Sequence, residues 1–404
     1  MATVERSRAG GMLVMLLGVA VFLNYVDRGA IGIAAPLMTA ELRLDPEAFG
    51  LVLSAFFWVY APVQLVVGWL CDRFSVYRLM AAGVLVWAVA TFATGFVAGF
   101  TSLMVLRVLL GVGETIAFPG ASKIITRHVP PERRGMANAA LSLGIALGPA
   151  AGTLAGGLIL ASFGWRAIFM TFGVVTLLWL APWFRATRKL ERSEAPVQRR
   201  VPVGALIGKW PLWSMAIAHI ASNYVFYFLL GWLPLFLVNS RGLSIREMTF
   251  LATLGYAAQA VAALGFGMLS DSWTKAGRNE ATIRRWMMIL GQLVAGLAVL
   301  GVAFARGPLE LGILLCLAGI ATGALSLNTY AVAQMFAGPR AAGTWVGIQN
   351  AIGNTSGIFG PIITGIIVKH MGYTTAFAVT AAVGIAGAIW WIVGVPAIRE
   401  VELD

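Results

Sequence analysis

Residues 106–120 read LRVLLGVGETIAFPG, a hydrophobic stretch that carries two ionisable side chains, Arg107 and Glu114. The two are seven positions apart, which is two helical turns, so a helix places them on one face. An ionisable group inside a bilayer-spanning helix costs roughly 2.5–3.5 kcal/mol unless it faces a partner or a wet cavity. The stretch therefore predicts a membrane helix whose charged face belongs to an ion or proton pathway.

The composition of the whole chain favours a membrane protein. Its 404 residues are 59% hydrophobic and 11% charged, whereas soluble domains carry about 25% charged residues. The net charge of +12 does not indicate nucleic-acid binding, because the basic residues lie in short loops between apolar stretches. The two cysteines and three scattered histidines form no metal-ligand motif, and no nucleotide-binding loop is present. We therefore predict no enzyme, no cofactor and no metal site.

Spanning helices need about 20 mostly apolar residues, and the sequence contains twelve such runs. They cover approximately residues 12–38, 48–70, 79–98, 101–126, 136–161, 165–184, 210–238, 247–270, 284–305, 309–336, 341–368 and 372–396. Twenty Lys and Arg residues fall on one side of these runs and six on the other. Because basic residues are retained in the cytoplasm, both termini are predicted to be cytoplasmic. We expect a monomer in the inner (plasma) membrane.

The long polar connection 185–209 divides the runs six and six. It predicts an N-terminal bundle over 1–184, a cytoplasmic linker over 185–209 that lies partly on the membrane surface, and a C-terminal bundle over 210–404. The halves repeat, since GWLCDRFSVYR at 68–78 and GMLSDSWTKAGR at 267–278 share the pattern G-x-L-x-D. Small residues that recur about every four positions in GIALGPAAGTLAGG (144–157) and GNTSGIFGPIITG (353–365) favour close helix packing. Parallel halves of six helices are typical of a two-bundle transporter whose site lies at the midplane.

Buried charge is concentrated in the first half. Asp27 and Arg28 lie in the first run at about the depth of Glu114, and Arg107 lies nearer the outside. Two readings stay open: a buried ion-pair network that fixes helix packing, or a proton-coupled anion site. The second follows from the tendency of an arginine to bind either a protein acid or an incoming carboxylate. The second half supplies uncharged hydrogen-bonding groups, which suits the remainder of such a ligand.

The motifs NYVDRGAIGIAAP, FFWVYAPVQLVVGWLCDRF and LRVLLGVGETIAFPG, together with the G-x-L-x-D-R loop, resemble the major facilitator superfamily. Within it they resemble the anion:cation symporters, which include bacterial galactonate and hexuronate carriers, sialin and the vesicular glutamate transporters. The resemblance implies an all-α membrane protein of twelve transmembrane helices in two pseudo-symmetric six-helix bundles.

The resemblance also implies site residues. Arg28 would bind the substrate carboxylate, and Asp27 and Glu114 would carry protons coupled through Arg107. The remaining implied positions are Tyr25, Tyr60, Ser326, Thr329, Tyr330 and Asn350 for substrate binding, and Gly68, Asp72, Arg73 and Asp271 for gating. The chain departs from the galactonate carriers in LSLGIALG, which lacks their glutamine, and in SLNTY. Both departures leave smaller or aromatic carboxylates open as substrates.

The sequence thus predicts a proton-coupled symporter that imports a small organic anion by alternating access. The anion is expected to be a carboxylate, and sugar acids are among the candidates. Two alternatives remain open. The first is an exporter or antiporter of the same fold for organic anions or drugs, although Arg28 and Arg107 would repel cationic drugs. The second is a membrane sensor that binds its ligand without turnover. Substrate-driven proton entry distinguishes the symporter from both.

Overall fold

A computed structural model describes residues 2–130, 133–188, 190 and 203–402, which form helices joined by short turns and contain no strand. The helices are α1 (Ala2–Glu41), α2 (Pro46–Arg73), α3 (Val76–Thr94), α4 (Phe100–Glu114), α5 (Ala117–His128), α6 (Arg134–Phe163), α7 (Trp165–Thr187), α8 (Val203–Ile207), α9 (Trp210–Leu235), α10 (Ile245–Lys275), α11 (Glu280–Phe304), α12 (Pro308–Gly353) and α13 (Ser356–Val393). A short π-helix, Phe236–Ser240, continues α9.

Within these described residues, eleven stretches are long and apolar enough to cross a membrane. The last of them, Ala341–Val393, contains Gly372 at φ 80°, outside the helical region. A glycine at positive φ ends a helix, so this stretch holds two of the twelve predicted runs. Gly338, at φ 62°, separates the preceding pair of runs inside α12. The all-helical membrane fold is confirmed, while the side on which the termini lie stays a prediction.

The helices cluster into two compact units. One comprises Met1–Leu44 and Ala55–Gln198, and the other comprises Asp45–Ser54 and Arg199–Asp404. The first turns of α2 thus group with the second unit, where the Ser54 hydroxyl donates to the Ile358 carbonyl at 2.6 Å. The predicted boundaries at 184 and 210 stay predictions. About half of the predicted linker, residue 189 and residues 191–202, lies outside the described part of the chain.

In the first unit, a glycine stripe on α6 brings α1 unusually close. A Cβ placed on Gly144 would lie 2.8 Å from the Gly18 carbonyl, and one on Gly148 would lie 2.5 Å from the Cβ of Tyr25. Real side chains do not tolerate such distances, so only glycine permits this approach. The glycine stripe therefore fixes the position of the α1 face that carries Tyr25 and Arg28.

The charged stretch 106–120 lies within one membrane-length span, Phe100–His128, as predicted, although its regular helical hydrogen bonding is interrupted after Glu114. α4 ends at Glu114 and α5 begins at Ala117. Pro119 lacks an N–H and cannot bond the Thr115 carbonyl, while the Thr115 hydroxyl donates back to Gly111 at 2.6 Å. Such features commonly distort helices. Thr115 keeps helical dihedrals, so the two helices still form one span with Glu114 at the junction.

The second unit packs α9, α11, α12 and α13 around an apolar core. Trp345 and Phe336 stack with ring planes 8° apart, and Trp391 is fully buried. Large buried aromatic side chains of this kind contribute most of the contact area in a helix bundle. This core provides the framework for the polar side chains of α9 and α12 described below.

Candidate functional site

A buried ion pair lies at the centre of the first unit. The Nε of Arg28 on α1 donates to Oε2 of Glu114 on α4 at 2.9 Å. Arg28 is 7% exposed and Glu114 is 0% exposed. A buried pair of this kind is strongly destabilised when one partner is removed, because the other charge stays buried. The first and fourth spans therefore meet through opposite charges.

Aromatic rings surround the Arg28 guanidinium. Its carbon lies 4.5 Å from the ring centroid of Tyr60, and 5.1 Å from those of Tyr25 and Phe56. Tyr60 and Phe56 stack on each other at 5.0 Å. Arginine over an aromatic face gains electrostatic stabilisation that grows as water is excluded. Tyr25 and Tyr60, both predicted as substrate-binding residues, thus lie directly against Arg28.

Arg107 reaches the same group of residues from the preceding turns of α4. It is 6% exposed, and its guanidinium carbon lies 5.2 Å from the centroid of Phe56. The Phe56 ring therefore contacts both arginines. Phe56 was not among the predicted site residues, because an aromatic residue within an apolar span carries no distinguishing pattern.

Asp27 has different surroundings from Glu114. Its Oδ2 accepts from the indole Nε1 of Trp87 on α3 at 2.5 Å and from the hydroxyl of Thr176 on α7 at 3.3 Å. These neutral donors place Asp27 toward α3 and α7, while its neighbour Arg28 faces α4. Sequence reasoning expected the two acids and two bases to share one cluster, and it missed Trp87 and Thr176. The only sequence signal for Thr176 is that it is a polar residue within a span, and such a residue can face a mid-span acid on another helix.

Asn24 is a further residue that the sequence analysis missed. It lies one turn before Arg28 on α1, is 0% exposed, and its carboxamide lies beside Glu114. Neither Asn24 Oδ1 nor Nδ2 completes a hydrogen bond in this conformation, and Glu114 Oε1 is likewise unbonded. The three-residue spacing from Asp27 within NYVDR is the signal that could have found it.

In the second unit, two of the predicted binding residues are joined. The Tyr330 hydroxyl donates to Oδ1 of Asn350 at 3.0 Å, and the Tyr330 ring lies against His219 with centroids 5.8 Å apart. The adjacent Asn354 accepts from the Tyr227 hydroxyl at 2.5 Å. These contacts form a neutral hydrogen-bonded cluster.

The other two predicted residues of this unit, Ser326 and Thr329, donate to carbonyls of their own helix. The Ser326 hydroxyl bonds Gly323 at 3.1 Å and the Thr329 hydroxyl bonds Leu325 at 2.8 Å. Each hydroxyl proton is therefore engaged, and what remains for a ligand is the acceptor side of the oxygen. They are not joined to Tyr330 and Asn350 by any of these bonds.

Two of the predicted gating residues are exposed. Arg73 is exposed at the end of α2, and Asp271 is exposed in α10. Gly68 lies within α2, and the side chain of Asp72 lies outside what the structure describes. Across the side chains that the structure describes, no group of three His, Cys, Asp or Glu residues could hold a metal ion.

Comparisons with known proteins agree with this architecture. A family model described as Major Facilitator Superfamily matches residues 17–283 and 244–402. A hexuronate transporter of Bacillus subtilis (strain 168) is 28% identical over 412 residues, covering 96% of this chain and 97% of the relative. Probable anion transporter 1, chloroplastic, of Oryza sativa subsp. japonica is 28% identical over 399 residues, covering 94% and 75%.

Solved structures show the same fold. The crystal structure of a D-xylose-proton symporter superposes with a TM-score of 0.77 at 14% sequence identity, covering 96% of this chain and 98% of that one. At this identity the similarity concerns the arrangement of helices alone.

Proposed function

Because the chain belongs to the Major Facilitator Superfamily, we propose that this multi-pass membrane protein is a symporter that imports a small organic anion together with protons. Relatives named as a hexuronate transporter and a probable anion transporter support the anionic substrate. We place it in the inner (plasma) membrane as a monomer.

The observation that carries the proposal is the buried ion pair between Arg28 and Glu114. A carboxylate substrate presents the same two oxygens to the guanidinium as Glu114 does, so it can replace Glu114 at Arg28. A carboxylate that has lost its cation is costly to keep ionised in a low dielectric. Anion binding at Arg28 and proton binding at Glu114 therefore favour each other.

The surrounding residues receive distinct roles in this scheme. Tyr25 and Tyr60 contact the Arg28 guanidinium with their rings and would keep it in place while one anion replaces another. Arg107 supports the positive potential that attracts the substrate. Asp27 is a second proton carrier whose neutral partners, Trp87 and Thr176, can bond either protonation state of its carboxyl group.

The second unit and the loops complete the proposed roles. Tyr330 and Asn350, with Ser326 and Thr329, are candidates for bonding the uncharged groups of the anion. The G-x-L-x-D loop positions are candidates for gating the cytoplasmic side during alternating access; they are Gly68, Asp72, Arg73 and Asp271.

The proposal is tested with purified protein in liposomes under an imposed pH gradient. A thermal-shift screen of organic acids first identifies an anion that stabilises the protein. That anion, labelled, is expected to accumulate with the gradient and to carry protons inward. Exchange of labelled for unlabelled anion without any proton movement would instead favour an exporter or antiporter. Binding without exchange or accumulation would indicate a sensor.

A further inference from the structure

A small cavity lies inside the second unit, between α9, α10 and α12. Every residue that lines it belongs to this unit. The cavity offers about 20 Å³ to a group the size of water, which is enough for one hydroxyl group. Its polar lining consists of Tyr256 and Gln259, three positions apart on one face of α10, and Thr322 on α12. None of the three is among the predicted site residues.

The polar groups of this cavity are incompletely bonded. The Tyr256 hydroxyl has no hydrogen-bond partner among the residues that the structure describes, although Tyr256 is only 7% exposed. Buried polar groups nearly always have a partner, and one without a partner is costly. The Thr322 hydroxyl donates to the Ala318 and Gly319 carbonyls at 2.9 and 3.0 Å, so its oxygen remains as an acceptor. A ligand hydroxyl can accept from Tyr256 and donate to Thr322, whereas a carbonyl oxygen can only accept.

The helices beside the cavity are closely packed, so the space does not come from a loose contact between α10 and α12. A Cβ on Gly319 would lie 2.1 Å from the Gly255 carbonyl, and one on Gly323 would lie 2.6 Å from the Gln259 carbonyl. Side chains do not tolerate such distances, so the two backbones touch here. This contact fixes the part of α10 that carries Tyr256 and Gln259.

Most of the remaining lining is apolar. Phe226, Leu229 and Leu233 come from α9, and Leu315 comes from α12. Contact with such a surface favours hydrocarbon and penalises any hydroxyl group that is left without a bond. The lining therefore suits a group in which a single hydroxyl is attached to an apolar carbon skeleton.

We propose that this cavity is a binding subsite for one hydroxyl group of the transported anion. The Tyr256 hydroxyl donates to the ligand oxygen, Thr322 accepts its proton, and the adjoining carbon skeleton lies against the apolar side chains of α9. The assignment rests on the proposed function, because the ligand is the transported anion. It favours an acid with one hydroxyl on an apolar skeleton over a polyhydroxylated sugar acid. The stretch LSLGIALG, which leaves smaller or aromatic carboxylates open, agrees with this preference.

The test compares acids that differ by one hydroxyl. The probes are 4-hydroxybenzoate with benzoate and 6-hydroxyhexanoate with hexanoate, and glucuronate represents the sugar acids. Binding to the purified full-length protein is measured by isothermal titration. In at least one pair the hydroxylated acid is expected to bind about tenfold more tightly than its parent, as a hydrogen bond to a buried partner allows, and more tightly than glucuronate. Equal affinities within both pairs, or tighter binding of glucuronate, would overturn the assignment.

Two variants connect this preference to the cavity. Tyr256→Phe is expected to abolish the preference for the hydroxylated acid and to leave the affinity for its parent unchanged. Because no bond within the protein is lost, the melting temperature without ligand is expected to be equal or higher. Tyr373→Phe is the matched control, since this ring contacts Phe236 at 5.6 Å and does not line the cavity; it is expected to keep the preference.

The outcomes separate this proposal from the proposed function. A Tyr256→Phe protein that keeps the full preference would overturn the subsite. A lower melting temperature of that variant with unchanged binding would do the same, because the hydroxyl would then serve the packing of the protein alone. If the wild-type protein neither binds nor transports any carboxylate, the proposed function itself fails.

Discussion

Arg28 and Glu114 each supply the counter-charge that allows the other to be buried. The pair is nearly closed to water, so its replacement by a ligand is an exchange of one carboxylate for another at the same guanidinium. The cost of leaving either charge alone in such a place is about 3–5 kcal/mol. This cost, rather than the strength of any single contact, is what couples the anion to the proton.

The first prediction concerns Arg28 itself. Arg28→Ala is expected to abolish both binding and transport of the anion, because the proposed site holds the carboxylate through the Arg28 guanidinium. Thermal-shift titration and uptake into proteoliposomes measure the two effects separately. The matched control is Arg166→Ala, which removes an exposed arginine paired with Glu41 at 2.8 Å and is expected to leave both measurements near wild type. Normal uptake by Arg28→Ala would remove its assigned role.

The second prediction concerns the indole that holds Asp27. Trp87→Phe keeps most of the ring but deletes the N–H that donates to Asp27 Oδ2, so we expect a loss of about 1–3 kcal/mol in the free energy of unfolding. Denaturant unfolding in detergent measures it. Trp286→Phe, at a tryptophan that is 56% exposed, is the control and is expected to change stability by less than about 0.5 kcal/mol. Equal stability of the two variants would show that the indole bond contributes nothing.

At this scale the sequence predicts charges better than it predicts their partners. That buried acids and bases of the first and fourth spans would neutralise each other could be expected, because an isolated charge in mid-span is costly. Trp87, Phe56 and Asn24 could not, since a neutral residue in an apolar span is compatible with packing anywhere on the helix. Which of the two acids the arginine contacts depends on rotations of helices about their axes, and hydropathy does not encode them.

Among the helices, α1 and α6 have the contact most sensitive to side-chain size. Gly148→Ala would place a methyl group 2.5 Å from Tyr25 Cβ and 2.9 Å from the Phe22 carbonyl. We expect a loss of about 1–3 kcal/mol in stability and weaker anion binding, because the Tyr25 side chain beside Arg28 is displaced. Gly156→Ala on the same helix meets its nearest neighbours at 3.5 Å or more and should be neutral or slightly stabilising. If both variants were equally stable, the close approach of α1 and α6 would be wrong.

The glycine spacing correctly predicted that another helix backbone packs closely against this face of α6. Small residues at 144, 148 and 152 indicate a face that another backbone approaches, although they do not identify α1 as the partner. The interruption after Glu114 was predictable from Pro119 in principle, yet hydropathy treats the stretch as one run. The break is local, so it alters the surroundings of Glu114 without altering the number of spans.

Over the whole molecule, the distribution of basic residues makes a prediction about topology. After replacement of Cys71 and Cys316 by serine, single cysteines are introduced as Phe96→Cys between α3 and α4 and as Glu402→Cys near the C-terminus, both at exposed positions. An impermeant maleimide applied to intact cells is expected to label the first and not the second. The reverse pattern would invert the predicted orientation.

Counting spans was possible from the sequence because hydropathy measures length and composition directly. The break at Gly338 lies between two predicted runs and the break at Gly372 lies at the first residue of the last run, where glycine and short polar segments interrupt the apolar pattern. The grouping of residues 45–54 with the second unit was not predictable, because it depends on contacts distant in sequence, such as that between Ser54 and Ile358. Composition therefore determines the number of elements here, and long-range packing determines their grouping.

The central claim is that Glu114 gives up its contact with Arg28 and binds a proton when the anion binds at Arg28. The most direct measurement is proton entry that accompanies anion uptake in proteoliposomes, compared between the wild type and Glu114→Gln, with Glu41→Gln as the control. We expect Glu114→Gln to bind and exchange the anion but to lose proton-driven accumulation, while Glu41→Gln behaves as wild type. Full accumulation with normal proton entry in Glu114→Gln would contradict the account.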